Sequence, residues 1–399
     1  MKTREVKLGE VANVKGGKRI PKGIGLINIP NGHPYIRVRD LNNKRLLELD
    51  NSYEYVDNET QKVISKYTVK AGDVVLSIVG TIGLVAIVGR TLDGANLTEN
   101  CVKLSSFHGV NRDFLYYYLR SDCGQQEIRC GTVGAVQAKL PIKNIQNIAI
   151  NLPDYTTQER IASLLLSIDR KIELNQKIND NLEQQAVTYF QELYINNANP
   201  MWQIGTISDL GTVVGGSTPS KTKPEYYTNN GIAWITPKDL SINKSKFISH
   251  GENDITELGL KNSSATVMPK GTVLFSSRAP IGYIAIASNE VTTNQGFKSV
   301  VPYLEIGTAF VYFFLKHSLP VIESAASGST FKEISGSAMK NIPAIIPDRN
   351  TLDQFNSFCA PIFAQQKILE DQNYSLAMLR DSLLPKLMSG AIDIASIQL

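Results

Sequence analysis

Pro34-Tyr35-Ile36-Arg37-Val38-Arg39-Asp40-Leu41 returns 199 residues later, altered but recognisable, as Ala233-Trp234-Ile235-Thr236-Pro237-Lys238-Asp239-Leu240. Lys70-Ala71-Gly72-Asp73-Val74-Val75-Leu76 returns at the same offset as Pro269-Lys270-Gly271-Thr272-Val273-Leu274-Phe275. Gly16-Gly17 with Gly215-Gly216, and Ile82-Gly83 with Ile281-Gly282, keep that offset on either side. Chance does not hold one register over such a stretch. Further on the offset falls to between 194 and 196, as small loop insertions and deletions would cause. Thr98-Glu99-Asn100-Cys101 then faces Thr292-Thr293-Asn294-Gln295, and Asn147 to Pro153 faces Asn341 to Pro347. A repeat of this size is far above the roughly 20–50 residues of solenoids and propellers. Each copy is therefore a domain with its own core, and a length of 399 residues accommodates two.

Within a copy, short β-branched runs bounded by Gly, Pro and Asn read as strands: 35–38, 74–78 and 84–88, then 232–235, 273–276 and 283–287. The aromatic runs 114–119 and 310–315 read as packed helices, core material rather than platforms for stacked bases. Each copy ends in a stretch of helical periodicity. Ile161, Leu164, Ile168, Ile172, Ile178, Leu182, Ala186, Tyr189 and Leu193 advance mostly by threes and fours, which predicts one long helix from about Gln158 to Tyr194. A similar stripe runs from Leu352 to Leu387, where a kink or late start is expected near Pro361 and an end or kink near Pro385. Two such stripes are most simply buried against each other as an antiparallel coiled coil. The expected fold class is α+β: strand-rich repeated domains at 1–153 and 200–347, a central helix at 154–199 and a C-terminal one at 348–399.

Charge is uneven. Residues 1–199 carry 25 basic and 21 acidic side chains, whereas residues 200–399 carry 16 of each. Residues 1–45 hold 11 basic groups against Glu5, Glu10 and Asp40 only, an excess suited to a polyanion. Cys101, Cys123, Cys130 and Cys359 have no CxxC spacing and are too few for a disulfide framework, so reduced thiols in a cytoplasm are expected. No basic-then-apolar leader and no long apolar run appears, which points to a soluble protein.

The duplicated strand-rich module alternating with long helices resembles the specificity subunits of type I restriction-modification systems. The resemblance covers nearly the whole chain. It rests on Leu8-Gly9-Glu10 followed by Gly16-Gly17, the Tyr35 to Leu41 block, Gly72 to Leu76 leading to Gly80-Thr81-Ile82-Gly83, and the terminal string Arg380-Asp381-Ser382-Leu383-Leu384-Pro385-Lys386-Leu387-Met388-Ser389-Gly390. It implies a non-catalytic subunit whose two domains each read half of a bipartite DNA site while the helices set their separation. It also implies docking of two methyltransferase subunits, which would bind S-adenosylmethionine, with motor-nuclease subunits able to join; the chain itself is expected to hold no cofactor and no metal.

Phosphate contacts position a protein on DNA and base-edge contacts give it sequence choice, so different residue types are sought for each. Lys15, Lys18, Arg19 and Lys22 surround a glycine turn and suit phosphates; Ser217, Thr218 and Lys221 open the second copy at the corresponding place. Arg37 and Arg39 share one face of a predicted strand, where either could fork onto guanine or pair with Asp40. The equivalent face of the second copy carries Thr236 and Lys238, and Ser277 and Arg278 follow the later strand. Asn294 and Gln295 are candidates for adenine. Gln137 in one late loop, and Ser329, Thr330 and Lys332 in its counterpart, complete the expected DNA contacts. The different side chains favour an asymmetric target.

Catalytic signatures are missing from the sequence. His33, His108, His250 and His317 are scattered, and neither a phosphate-binding GxxxxGK[ST] loop nor an Asn-Pro-Pro-Tyr-like methyltransferase motif occurs. Asp154 and Glu159 superficially resemble a nuclease pair but lack the completing lysine, and read as a linker and helix start. A duplicated protein-interaction scaffold that binds no DNA remains the rival reading.

Overall fold

The computed structural model describes residues 2–41, 44–134, 136–328 and 332–394. The chain divides into two compact units, one of Met1–Ile172 with Ser375–Leu399 and the other of Glu173–Tyr374.

In the first unit, Val74–Ser77 lies between Cys101–Ser105 and Val85–Val88 in a five-stranded sheet. Asn13–Gly16 forms one edge and Leu46–Leu47 the other. A smaller sheet places Pro34–Ile36 antiparallel to Glu54–Tyr55 and parallel to Asn96–Leu97. The second unit repeats both sheets. Val273–Ser277 lies between Lys298–Pro302 and Ile281–Ala287, with Gly211–Gly215 and Phe247–Ile248 at the edges. Ile232–Ile235 pairs antiparallel with Asn253–Ile255 and parallel with Thr292–Thr293. The start of each module is stapled to its end: Thr3–Lys7 pairs with Ala149–Pro153, and Gln203–Thr206 with Pro343–Ile346.

The expected strands are present, with one boundary that matters. The run from Tyr35 ends as a strand at Ile36, and Val38–Leu41 forms a 3-10 turn instead. The Asp40 carboxylate accepts from the Arg37 backbone N–H at 2.7 Å, which folds the chain back on itself. Arg37 and Arg39 therefore do not share a strand face. The aromatic runs lie in the helices Arg112–Arg120 and Thr308–His317, where Phe114 to Leu119 and Phe310 to Leu315 are all buried. They serve as core and offer no stacking surface.

The first spacer helix is Tyr155–Phe190, continued by a π-helical segment, Gln191–Asn196. The second is Arg349–Met388. Both begin in the same way: Asp154 accepts from the Thr157 N–H and hydroxyl at 3.0 and 2.6 Å, and Asp348 accepts from those of Thr351 at 3.0 Å each. The late start expected at Pro361 does not occur, since the helix opens at Arg349 and is unbroken through that residue. Pro361 and Ser357, whose carbonyl the proline leaves without its helical donor, both lie on the exposed face, so water can take the missing bond. The end expected near Pro385 is found at Met388. Pairing of the helices is antiparallel within each unit. Arg380 meets Asp169 at 2.8 Å in the first. In the second, Asn175 donates to Asn373 at 2.9 Å, and Gln366 donates to the Asn179 carbonyl at 3.2 Å.

Candidate nucleic-acid interface

At one end of its sheets each module carries a cluster of loops tied together by backbone hydrogen bonds. In the first, Gly17 N–H donates to the Cys101 carbonyl at 3.0 Å and Lys18 N–H to that of Leu97 at 2.8 Å. The Tyr35 hydroxyl donates to the Lys18 carbonyl at 2.8 Å, and Thr98 N–H to that of Ile36 at 3.0 Å. Ile78 N–H reaches Asn100, Leu140 N–H reaches Ile78, and Val133 and Lys139 exchange two bonds of 2.9 Å at the neck of the next loop. The glycine is required by this closeness: a Cβ on Gly17 would stand 2.1 Å from the Thr98 carbonyl oxygen.

The second module repeats the arrangement with other residues. Ser217 N–H donates to Thr293, the Trp234 indole donates to the Ser217 carbonyl at 3.0 Å, and Asn294 N–H donates to Ile235. Ser277 N–H reaches Gly296, Ile334 N–H reaches Ser277, and Ser327 and Glu333 exchange bonds at the neck of the late loop. A Cβ on Gly216 would lie 2.0 Å from the Asn294 carbonyl oxygen. These bonds pair Thr98 with Asn294 and Glu99 with Gln295. The alignment of Thr98 with Thr292 is thus corrected by two residues, because both segments read Thr before Asn and their letters match out of register.

On this frame the expected residues separate by what they touch. Lys15, Lys18 and Lys22 are exposed and have no carboxylate partner among the described residues; Lys18 lies over the Tyr67 ring at 5.6 Å. Arg19, by contrast, donates through Nε to Glu99 at 2.5 Å. That bond raises the Arg19 pKa. Burial works to raise that of Glu99, yet the guanidinium and neighbouring donors hold it below the ordinary value. Arg37 forms an ion pair with Glu54, and Arg39 donates to the same carboxylate at 2.7 Å, so both arginines belong to a neutralised cluster with Asp40. Burial pushes the Asp40 carboxyl up to about 6 against the opposing pull of Arg39.

In the second module, Thr218 donates its hydroxyl to Gln295, at the place occupied by Arg19 and Glu99 in the first. Thr236 caps the helix Pro237–Ile242, and Lys238 pairs with Glu252 at 2.6 Å, repeating the Arg39 and Glu54 contact. Asn294 uses its side-chain oxygen to accept from Gly296 N–H at 2.9 Å. Arg278 pairs with Glu333 at 3.2 Å. Ser277 is fully buried and presents nothing at the surface. Lys221, Lys332 and Gln137 are exposed, with Val136 beside Gln137 at 97% exposure. Ser329 and Thr330 lie outside the described residues. Glu99 is not among the contacts expected from the sequence. The signal for Glu99 lay in its alignment with Gln295, which the two-residue slip concealed.

Fold and frame together define a duplicated scaffold with two loop surfaces that carry different side chains. Residues 2–184 and 199–372 match the type I restriction modification DNA specificity domain, and the chain belongs to that family. It is 43% identical over 162 residues to the type I restriction enzyme MjaIX specificity subunit of Methanocaldococcus jannaschii, a match covering 40% of this chain and 37% of that subunit. To the HindI specificity subunit of Haemophilus influenzae it is 23% identical over 341 residues, covering 67% of this chain and 73% of that one. The fold is like that of a type I restriction-modification S subunit from M. genitalium, with a TM-score of 0.57, 16% identity and coverage of 97% and 99%. No helix among the described residues is long and apolar enough to cross a membrane.

Proposed function

We propose that the chain is the sequence-specificity subunit of a type I restriction-modification complex and that each module reads one half of a bipartite, non-palindromic DNA site. The observation that carries this reading is one hydrogen-bonded loop frame built twice with different side chains at its crest. A scaffold that merely bridged proteins would have no need of one frame under two chemistries. Lys15, Lys18 and Lys22 neutralise phosphates, while the residues between them and the late loops address base edges. The spacer helices fix the separation of the half-sites and dock two methyltransferase subunits, which bind the S-adenosylmethionine. This chain contributes recognition and no catalysis, in the cytoplasm, and motor-nuclease subunits complete the restricting complex.

Binding of the chain with its methyltransferase subunits to duplex DNA tests this. Affinity should fall steeply with salt and should distinguish sequences. Replacing Lys15, Lys18 and Lys22 by Ala should weaken binding to every sequence and reduce the slope of log affinity against log salt by roughly 0.9 for each phosphate no longer neutralised. An unchanged slope would remove the phosphate role, and binding without sequence preference would favour the protein scaffold.

A further inference from the structure

We propose that Arg19 and Glu99 read a guanine·cytosine base pair, and that Thr218 and Gln295, at the same place in the second module, read an adenine·thymine pair. This rests on the DNA-reading function proposed above and assigns chemistry to one position of each half-site.

Arg19 gives only its Nε to Glu99, and its side chain remains 77% exposed. Its two terminal nitrogens have no partner among the described residues, so the Nη fork stands free and oriented. That fork matches guanine O6 and N7. Glu99 is the unexpected member. A carboxylate at the crest of a surface meant for a polyanion repels phosphate and is costly there unless a donor meets it. Its Oε1 takes Arg19, and its Oε2 accepts the Thr98 hydroxyl at 3.1 Å, leaving lone pairs toward solvent at 29% side-chain exposure. In the major groove the cytosine N4 amino group offers a donor and no acceptor, the complement of a carboxylate. Guanine for the arginine and cytosine for the glutamate are the two members of one base pair.

The second module exchanges both residues together. The Gln295 amide oxygen takes the Thr218 hydroxyl, which orients the amide and leaves its NH2 and one lone pair free. Donor and acceptor side by side match adenine N7 and N6. Charge is removed from both partners at once, in keeping with the neutral balance of that half of the chain. Lys15, Lys18 and Lys22 remain for the phosphates, so Arg19 is reassigned from the backbone to the bases.

The test is single-molecule methylation sequencing of cells that express the full chain with its methyltransferase subunits. The wild-type motif should contain a fixed G·C pair in one half. The double variant Arg19→Thr with Glu99→Gln carries the second module's pair into the first. It should shift that position toward A·T, changing the relative methylation of the two site versions by roughly 5- to 150-fold, and leave the other half untouched. Glu99→Gln alone should relax the same position, with the unaltered half reporting that the protein is folded. An unchanged motif in both variants would overturn the assignment. So would a uniform loss of methylation with no change of consensus, because that is the behaviour of a phosphate contact. A wild type with no bipartite motif would instead remove the DNA-reading function, and this inference with it.

Discussion

Lys246 is a closely surrounded charged residue of the second unit. Its side chain is 6% exposed; its ammonium pairs with Glu183 and donates to Gln366 at 2.6 Å, and it lies 4.2 Å from the Phe363 ring centroid. Glu370 accepts from the backbone N–H of Lys246 and Phe247 at 2.8 and 3.1 Å, and Lys316 donates to Glu183 at 2.6 Å. Burial lowers the Lys246 pKa, while its pairing with Glu183 works in the other direction. Breaking a buried ion pair on one side is more damaging than replacing both partners. Glu183→Ala should therefore cost about 3–5 kcal/mol, and Lys246→Met combined with Glu183→Gln should cost clearly less. Chemical denaturation of the second unit within the full chain measures both. Equal losses would mean that the stranded charge is not the source. Sequence patterning did not reveal this cluster, because its members are scattered from residue 183 to residue 370 and only the folded chain gathers them. For Arg37 and Arg39 the reverse holds: their spacing was visible, but the capture of both by Glu54 was not.

At the scale of elements, most of the fold was legible. Short β-branched runs between turn residues became strands nearly where expected, since side-chain type and local punctuation dictate them. The aromatic helices were read correctly as core. What escaped were boundaries set by single side-chain bonds, such as the turn after Ile36, and the helix that continues through Pro361. An interior proline costs a helix about 3 kcal/mol relative to alanine, and here packing of Leu352, Phe355, Cys359 and Ile362 into the core offsets it. Pro361→Ala restores an N–H toward the Ser357 carbonyl at an exposed position, and should raise stability by about 1–3 kcal/mol. A thermal melt that rises by several degrees supports this; one that falls would mean the proline's shape is needed.

At the scale of the whole molecule, sequence order and compact units are not the same division. The terminal string singled out in the sequence belongs to the first unit. Leu387, Met388 and Ile394 are buried in the same core as Leu8, Phe114 and Leu165, and Leu383 and Leu384 pack against it. Leu387→Ala removes a fully buried side chain and should cost about 2–5 kcal/mol. Hydrogen exchange should then show weakened protection in residues 8–165 and little change in 203–346. A weakening confined to the second unit would contradict this assignment. The repeat made the duplication plain from the letters alone, but this sharing of the chain's end could not be read without the fold.

The central claim is that one frame, built twice, reads two independent half-sites. Its most direct test replaces residues 1–153 by the first module of another family member and maps the methylated motif by single-molecule sequencing, with the methyltransferase subunits unchanged. The account predicts that one half of the motif changes and the other half is retained base for base. A motif that changes in both halves, or in neither, would contradict it.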